Sequence, residues 1–575
     1  MTKRKFPYIN RFCLLCLLSL AYGKIAGQDL SMIGKSEPLQ INGTVGMQYY
    51  GRMGGKSNSP YPLSGAIWQV GLNASLYGWN LPFSITYSNA NLRWQQPFNR
   101  FSLQPSWKWI RMYLGDASMS FSPYSLNGHQ FTGAGAEFEP EGGKWKISIM
   151  GGRLLRQTLP DTIRGLPGIR HRMGYGLAGE YREEKFSFGA GIFYASDRKN
   201  DAFHLPDSLT EAPAENLVLH SKGTADIIDN LQVQLEYAIS FFTPDRRSPE
   251  VAQGTTLFPL KYRNGSARYN AFKTGITYTS RFRSVGLYAE RVDPGYRTLG
   301  AYYHLNDFAS YTFQYAGTAL QKKLTWSVSS GWQYDNLSHR KNSTSHRLIH
   351  NLNLTCSPSD ALQVNFTYSN FSRYMYLRPS EEYLSEPDPW KNADTLHYRQ
   401  VTATWGGTVF WQKEDRNENR HQINVAFNSN TSREESADSL ANRGLFVFAS
   451  GGYTFSKPDN DLSSSVVLQY NSSRTVETTG AYMGPALSLR KSIAQKKLQA
   501  YSTVSYNKTW PDAEKTGYVL MGRGGLSFRQ KNHTADVTFG MAWRKTEDRN
   551  TRKEITMNFS YRYTFSGKKN EEQKK

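Results

Sequence analysis

Beyond its first 27 residues the chain has a single cysteine, Cys356. One thiol cannot close an internal disulfide, so a disulfide-stapled scaffold is excluded. Cys356 alternates with Leu352 and Leu354, which makes it an apolar residue on one strand face rather than a nucleophile. After the N-terminus there is no run of about 18 apolar residues, so no transmembrane helix is expected. The catalytic signatures H-E-x-x-H, G-x-x-x-x-G-K-[ST] and G-x-S-x-G are missing. His346 and His350 have a spacing that serves a metal only on a helix; on a strand they lie about 13 Å apart. Pro458-Asp459-Asn460-Asp461 reads as a turn before a calcium site. No enzyme activity, metal or cofactor is therefore expected. Linkers and low-complexity segments are also lacking from about residue 38 onward, so the 575 residues read as one domain.

What is present in quantity is aromatic: Tyr 36, Phe 30 and Trp 13, against a mean hydropathy of −0.59. A polar average with many aromatics and no helical span fits strands that alternate lipid-facing and lumen-facing residues. The stretch 555–565 shows the pattern most cleanly. Ile555, Met557, Phe559, Tyr561, Tyr563 and Phe565 occupy one face, and Thr556, Asn558, Ser560, Arg562 and Thr564 the other. An aromatic last strand in an exported chain predicts the closing strand of an outer-membrane barrel. The same alternation recurs at Trp145/Ile147/Ile149, Leu231/Val233/Leu235/Tyr237, Tyr311/Phe313/Tyr315 and Ala535/Val537/Phe539/Met541/Trp543.

Residues 1–27 read as an export signal. Lys3-Arg4-Lys5 and Arg11 form the charged region and Phe12–Ala21 the apolar core; Ala21-Tyr22-Gly23 offers one cleavage site and Ala26-Gly27 before Gln28 another. Residues 28–37 form a short periplasmic lead without a plug domain, unlike TonB-dependent transporters. Residues 38–566 form the barrel and 567–575 a charged periplasmic tail. Connections alternate short and long. Short turns fall near 183–185, 227–230, 319–323, 357–360, 456–461, 493–497 and 529–532. Longer loops fall near 156–168, 196–214, 243–264, 292–307, 334–346, 372–395, 432–442, 472–479 and 544–552. With both termini periplasmic, this parity requires an even number of strands and an extra short one within Arg100–Gly115. The expectation is a single antiparallel transmembrane β-barrel of 24–26 strands, with 26 the count and 24 the main rival.

Gly115-Asp116, Phe121-Ser122-Pro123, Asn127-Gly128 and Phe131-x-Gly133-Ala134 form the most distinctive local pattern. It resembles a strand–loop–strand signature of large secretion barrels such as fimbrial ushers. In texture, signal and aromatic final strand the whole chain resembles the uncharacterised outer-membrane β-barrel proteins of the Bacteroidota. That resemblance implies a Gram-negative outer membrane and carries no known site residues.

The formal charge of +22 falls to +17 when the signal is removed. In an exported barrel this balance points to lipid and lipopolysaccharide phosphates, anionic solutes or an acidic partner, and not to nucleic acid. Strand parity points Lys146, Arg170, Arg172, Lys273, Arg490, Arg523 and Arg562 into the lumen, against Glu137, Glu180, Glu236 and Asp536. Arg153, Arg156, Arg164, Arg246 and Arg247 form a basic cluster in the loops, read first as a solvated rim against lipopolysaccharide and second as a substrate site. The loop 372–395 mixes Tyr374, Tyr376, Tyr383 and Trp390 with acids, a self-packed loop before a sugar or protein site. The expected function is a porin-like channel or a transport or secretion component, with loops controlling a net-positive lumen. The alternative is a non-conducting barrel that scaffolds an envelope complex or binds a surface protein. In either case the barrel assembly machinery is an expected partner.

Overall fold

The computed structural model describes residues 39–54, 64–89, 100–160, 168–198, 211–251, 260–340, 344, 346–370, 373–375, 399–433, 443–475, 479–512, 515–546 and 549–566. The signal, lead, tail, Arg164 and most of the loop 372–395 lie outside them. The described residues contain no α-helix and 28 strand segments in one antiparallel sheet. Two strands are each broken in two. Arg100–Leu103 and Ser106–Trp107 both sit between Trp79–Ser88 and Ile110–Ser120. Leu362–Ser369 and Arg373–Met375 both pair with Arg399–Glu414. Counted as continuous strands, the sheet has 26. It closes on itself where Leu39–Met53 pairs with Arg549–Phe565, Val45 opposite Tyr563 and Tyr49 opposite Phe559. Closure pairs the first and last strands and so removes the two free edges an open sheet would have.

The period-two pattern has a direct consequence for the wall. In His533–Thr546 the alternate residues Phe539, Met541 and Trp543 are exposed, while Thr538 and Ala542 are buried. The outer stripe runs His533, Ala535, Val537, Phe539, Met541, Trp543. From His533 to Trp543 is about 25 Å along the barrel axis at ordinary strand rise and tilt, the height of an apolar band. Rings collect at both borders. Trp79 stacks on Trp107 at 5.7 Å, Trp145 meets Tyr181 at 4.6 Å, and His533 meets Tyr563 at 4.8 Å at the end carrying the chain termini. Trp68 meets Tyr87 at 5.5 Å and Tyr368 meets Trp405 at 4.1 Å toward the opposite end. There the Lys553 ammonium sits 4.8 Å over the Trp543 ring, its stem along the apolar wall and its charge at the border. Amphipathic rings at both borders are the arrangement a lipid–water boundary selects.

Strand direction sorts the connections by end. Those beside the termini are short. Leu320-Gln321-Lys322 and Ala494-Gln495-Lys496 are two copies of one turn, each followed by Lys-Leu and each holding three residues at positive φ between 53° and 69°. Two connections expected to be long are short. Arg474 pairs with Thr479 and Thr546 with Arg549, because these strands continue pairing past the apolar band.

Two hydrophobic clusters lie inside the barrel. One gathers Met119, Phe121, Leu126, Phe131, Met150, Leu154 and Phe193. The other gathers Tyr124, Val218, Ala271, Val292, Tyr296 and Phe308. Strands from Ile110 to Asp335 supply their floor, and two connections from the end opposite the termini supply their cover.

Candidate functional site on the inner wall

The first covering connection is the turn Phe121–Leu126. Phe121 N–H donates to the Leu126 carbonyl at 2.9 Å, and Ser125 N–H to the Ser122 carbonyl at 3.2 Å. Pro123 occupies the second position of this turn, where its fixed φ is pre-set. The Ser122 hydroxyl accepts from Tyr124 N–H at 3.1 Å. Side chains then carry the turn onto the wall. Ser122 donates to the Glu236 carboxylate, and Tyr124 donates its phenolic hydrogen to Glu290 at 2.7 Å. Lys273 stands between these acids, opposite Glu236 on one strand and Glu290 on the other. The distinctive pattern of the sequence is therefore the tip of an inward-packed element.

The second connection, 293–307, lies over the first. Tyr296 donates to the Tyr124 carbonyl at 2.7 Å, Thr298 to the Ser125 carbonyl at 2.6 Å, and Asn127 N–H to the Gly300 carbonyl at 2.9 Å. Asn216 and Ser240 on the wall donate to the Arg297 carbonyl at 3.4 and 2.6 Å. Gly300 is required by proximity: a Cβ there would lie 2.6 Å from the Ser125 carbonyl oxygen. Together the two connections form a shelf on the inner wall. Tyr124 and Tyr296 are 2% and 0% exposed, and burial pushes both phenols up, so they stay neutral donors. His304 packs on both rings, at 5.8 and 5.0 Å, and burial pushes its imidazole down to about 4. Next to the shelf, a cavity of about 240 Å³ is lined by Lys273, Tyr288, Glu290, Ser310, Thr312 and Gln314.

The cations singled out in the sequence fall into three groups. On the shelf side, Lys146 pairs with Glu137 at 3.1 Å, and Lys273 is flanked by its two acids. The neighbouring Glu180 is held by Arg182 at 2.6 Å and Lys222 at 2.9 Å.

The second group is at the rim. Arg172 pairs with Asp197 through two bonds of 2.8 and 3.0 Å. Arg246 donates to the Asp197 carbonyl and lies 3.6 Å from Glu215. Arg247 pairs with Asp245 at 2.8 Å, and its hydrogen bonds hold that carboxyl below its usual range. Arg170 departs from the strand expectation: it precedes the strand Arg172–Arg182, is 6% exposed, and donates to the Glu211 carbonyl at 2.6 Å. These four arginines converge on acids and carbonyls and tie connections to the rim. Arg153 contacts Thr132 at 3.3 Å, away from them, and Arg156 is exposed. Of the expected loop cluster, Arg246 and Arg247 are paired with acids, while Arg164 lies outside the described residues. Sequence reasoning missed Asp197 and Glu290; their strand parity was readable, but their partners lie 17 to 166 positions away.

The third group is on the seam side. Arg490, Arg523 and Arg562 lie on strand faces opposite the exposed Leu489, Leu526 and Tyr561. They have no ion-pair partner among the described residues. Thr503 lies on the strand between Arg490 and Arg523, and Thr538 on the strand between Arg523 and Arg562. No group of three His, Cys, Asp or Glu side chains suited to a metal occurs among the described residues.

The closed ladder with an apolar outside and a polar inside defines the class, a large antiparallel β-barrel of 26 strands. No protein-family model and no curated protein matches the chain. Among solved structures, the translocation pore of the P pilus usher PapC aligns over 92% of this chain and 100% of its own, at 10% identity and a TM-score of 0.36. The FrpB iron transporter from Neisseria meningitidis aligns over 93% and 83%, at 10% identity and 0.36. A BenF-like porin from Pseudomonas fluorescens Pf-5 aligns over 92% and 99%, at 10% identity and 0.29. At these values the similarities transfer no residue role and no activity.

Proposed function

We propose that the chain is an outer-membrane barrel acting as a channel or as the pore of a transport or secretion system. The observation that carries this reading is closure of 26 strands around a polar inner face. At ordinary strand spacing and tilt such a sheet has a perimeter of about 160 Å. Side chains alone fill the interior of a barrel of about eight strands; this perimeter encloses far more than its own side chains occupy. Among the described residues the shelf covers the wall between Ile110 and Asp335, and the passage runs along the seam side, where Arg490, Arg523 and Arg562 have no ion-pair partner among those residues. The lumen is then net positive and favours anions. The outer stripe and its two aromatic borders support a barrel set in lipid, and on this reading basic residues of the outer rim face lipopolysaccharide phosphates.

Single-channel recording of folded, detergent-purified protein in a planar bilayer tests this reading. Stable conductance steps are expected. Their absence from protein shown to be folded would shift the assignment to a partner-binding scaffold of the envelope. The packed shelf, with its interlocked Tyr124 and Tyr296, is the feature that favours that second reading.

A further inference from the structure

We infer that the inner wall beside the barrel seam is a binding track for a flexible acidic polysaccharide. This rests on the reading of the lumen as accessible, and it specifies the substrate class of that lumen. The wall is built by the strands Thr479–Ile493, Leu498–Asp512, Lys515–Gln530, His533–Thr546 and Arg549–Phe565. The pairing registers fix the relative positions of its charges. Arg490 is opposite Tyr501, and Arg523 opposite Thr503, two residues higher on that strand. Arg529 and Arg562 both face Thr534, one on each side. One strand thus separates the members of each pair, so their backbones are about 10 Å apart across the sheet. Among the described residues of this wall two acids face inward: Asp536, which accepts a hydrogen bond from Ser560 at 3.2 Å, and Glu554 toward the opposite end, 3.7 Å from Arg52.

The contrast with the shelf side makes these charges informative. There, Glu137, Glu180 and Asp197 each hold an arginine or lysine within 3.1 Å. On the seam side, Arg490, Arg523, Arg529 and Arg562 have no ion-pair partner among the described residues. Each unpaired guanidinium offers a planar fork of donors that matches a carboxylate or sulfate, and the spacing suits a ligand with repeated charges more than a single small ion. Between them the face is hydroxylic: Ser463, Ser465, Ser488, Thr503, Thr538 and Ser560. Hydroxyls exchange hydrogen bonds with sugar hydroxyls. A single-stranded nucleic acid would instead call for a run of aromatic platforms on which bases stack. In these rows Tyr501 is bound through its hydroxyl to Thr538 at 2.6 Å.

Fluorescein-labelled oligogalacturonate is the probe, with binding to the full-length protein in detergent read by anisotropy. Circular dichroism and heat-modified gel mobility establish folding of every variant. The triple variant Arg490→Gln, Arg523→Gln, Arg562→Gln is expected to bind at least about tenfold more weakly, by loss of charge-assisted bonds of the kind that dominate such sites. A control triple, Lys144→Gln, Lys185→Gln, Lys261→Gln, removes the same charge from turns and rim and is expected to bind as the parent does. Uncharged dextran should not compete. Equal loss in both triples, competition by dextran, or tighter binding of oligothymidylate or polyphosphate than of oligogalacturonate would each overturn the assignment. Protein that conducts but does not bind the probe removes the track and leaves the channel. Protein that binds but does not conduct removes the channel and leaves the track.

Discussion

Tyr124 donates its phenolic hydrogen to Glu290, 166 positions further along the chain, at 2.7 Å. This bond locks a six-residue turn onto the inner wall, and the second connection, 293–307, closes over it through the Tyr124 carbonyl. Cutting the lock tests whether the shelf is one cooperative unit. Tyr124→Phe keeps the ring in its pocket and leaves a half-buried carboxylate without this donor, a cost of about 1 kcal/mol. Amide exchange of 293–307 should accelerate while exchange of the seam strands stays unchanged. Uniform acceleration around the barrel would show that the shelf is not a separate unit.

His304 gives the shelf a pH dependence whose sign is fixed. Its folded pKa is lowered to about 4 by burial between Tyr124 and Tyr296, with Glu236, Lys273 and Glu290 the charged groups on the wall beneath. A lowered histidine pKa means the unfolded segment takes up a proton that the packed segment refuses. Shelf stability is therefore full above the ordinary value near 6.5 and falls as pH drops from there toward 4. Exchange of 293–307 should rise between pH 6.5 and 4.5 in the parent and be flat over that window in His304→Phe. A parallel rise in both proteins would assign the effect to other groups.

The facing assignment makes a stability prediction. Phe539 is in the middle of the outer apolar stripe and 53% exposed on the barrel surface, while Thr538 beside it faces inward and is buried. Phe539→Arg puts a charge against hydrocarbon and should destabilise the barrel in lipid by about 2–4 kcal/mol. An inward-facing substitution at the exposed Arg523, to Gln, should cost less than about 0.5 kcal/mol. Urea unfolding in liposomes measures both, and the reverse ranking would contradict the facing.

Orientation is testable by surface labelling on a Cys356→Ser background. A cysteine at Glu250, in a connection at the end opposite the termini, should react with an impermeant reagent on intact cells. A cysteine at Ala494, in a short turn beside the termini, should react only after lysis. The inverse pattern would invert the topology.

The strands were legible because a period of two is local: Ile555 through Phe565 states its own facing without knowledge of its partners. Pairing parity then required an even number and the short strand within Arg100–Gly115, which gave a count of 26 with 24 as its rival. What could not be read is long-range. Phe121-Ser122-Pro123 stands out as a pattern, yet nothing local says that Ser122 reaches Glu236 or Tyr124 reaches Glu290. The same limit applies to the cations. Arg172, Arg246 and Arg247 look like free charge in sequence and are neutralised in space by Asp197, Glu215 and Asp245. Arg490, Arg523 and Arg562 look the same in sequence and have no such acids.

The central claim is a net-positive passage along the seam side, and the reversal potential under a salt gradient tests it most directly. Folded protein in a planar bilayer should prefer anions. The preference should weaken as salt approaches 1 M and the Debye length shrinks to about 3 Å, and it should drop in the Arg490→Gln, Arg523→Gln, Arg562→Gln variant. Cation preference, or anion preference unchanged by removing these three arginines, would contradict the account.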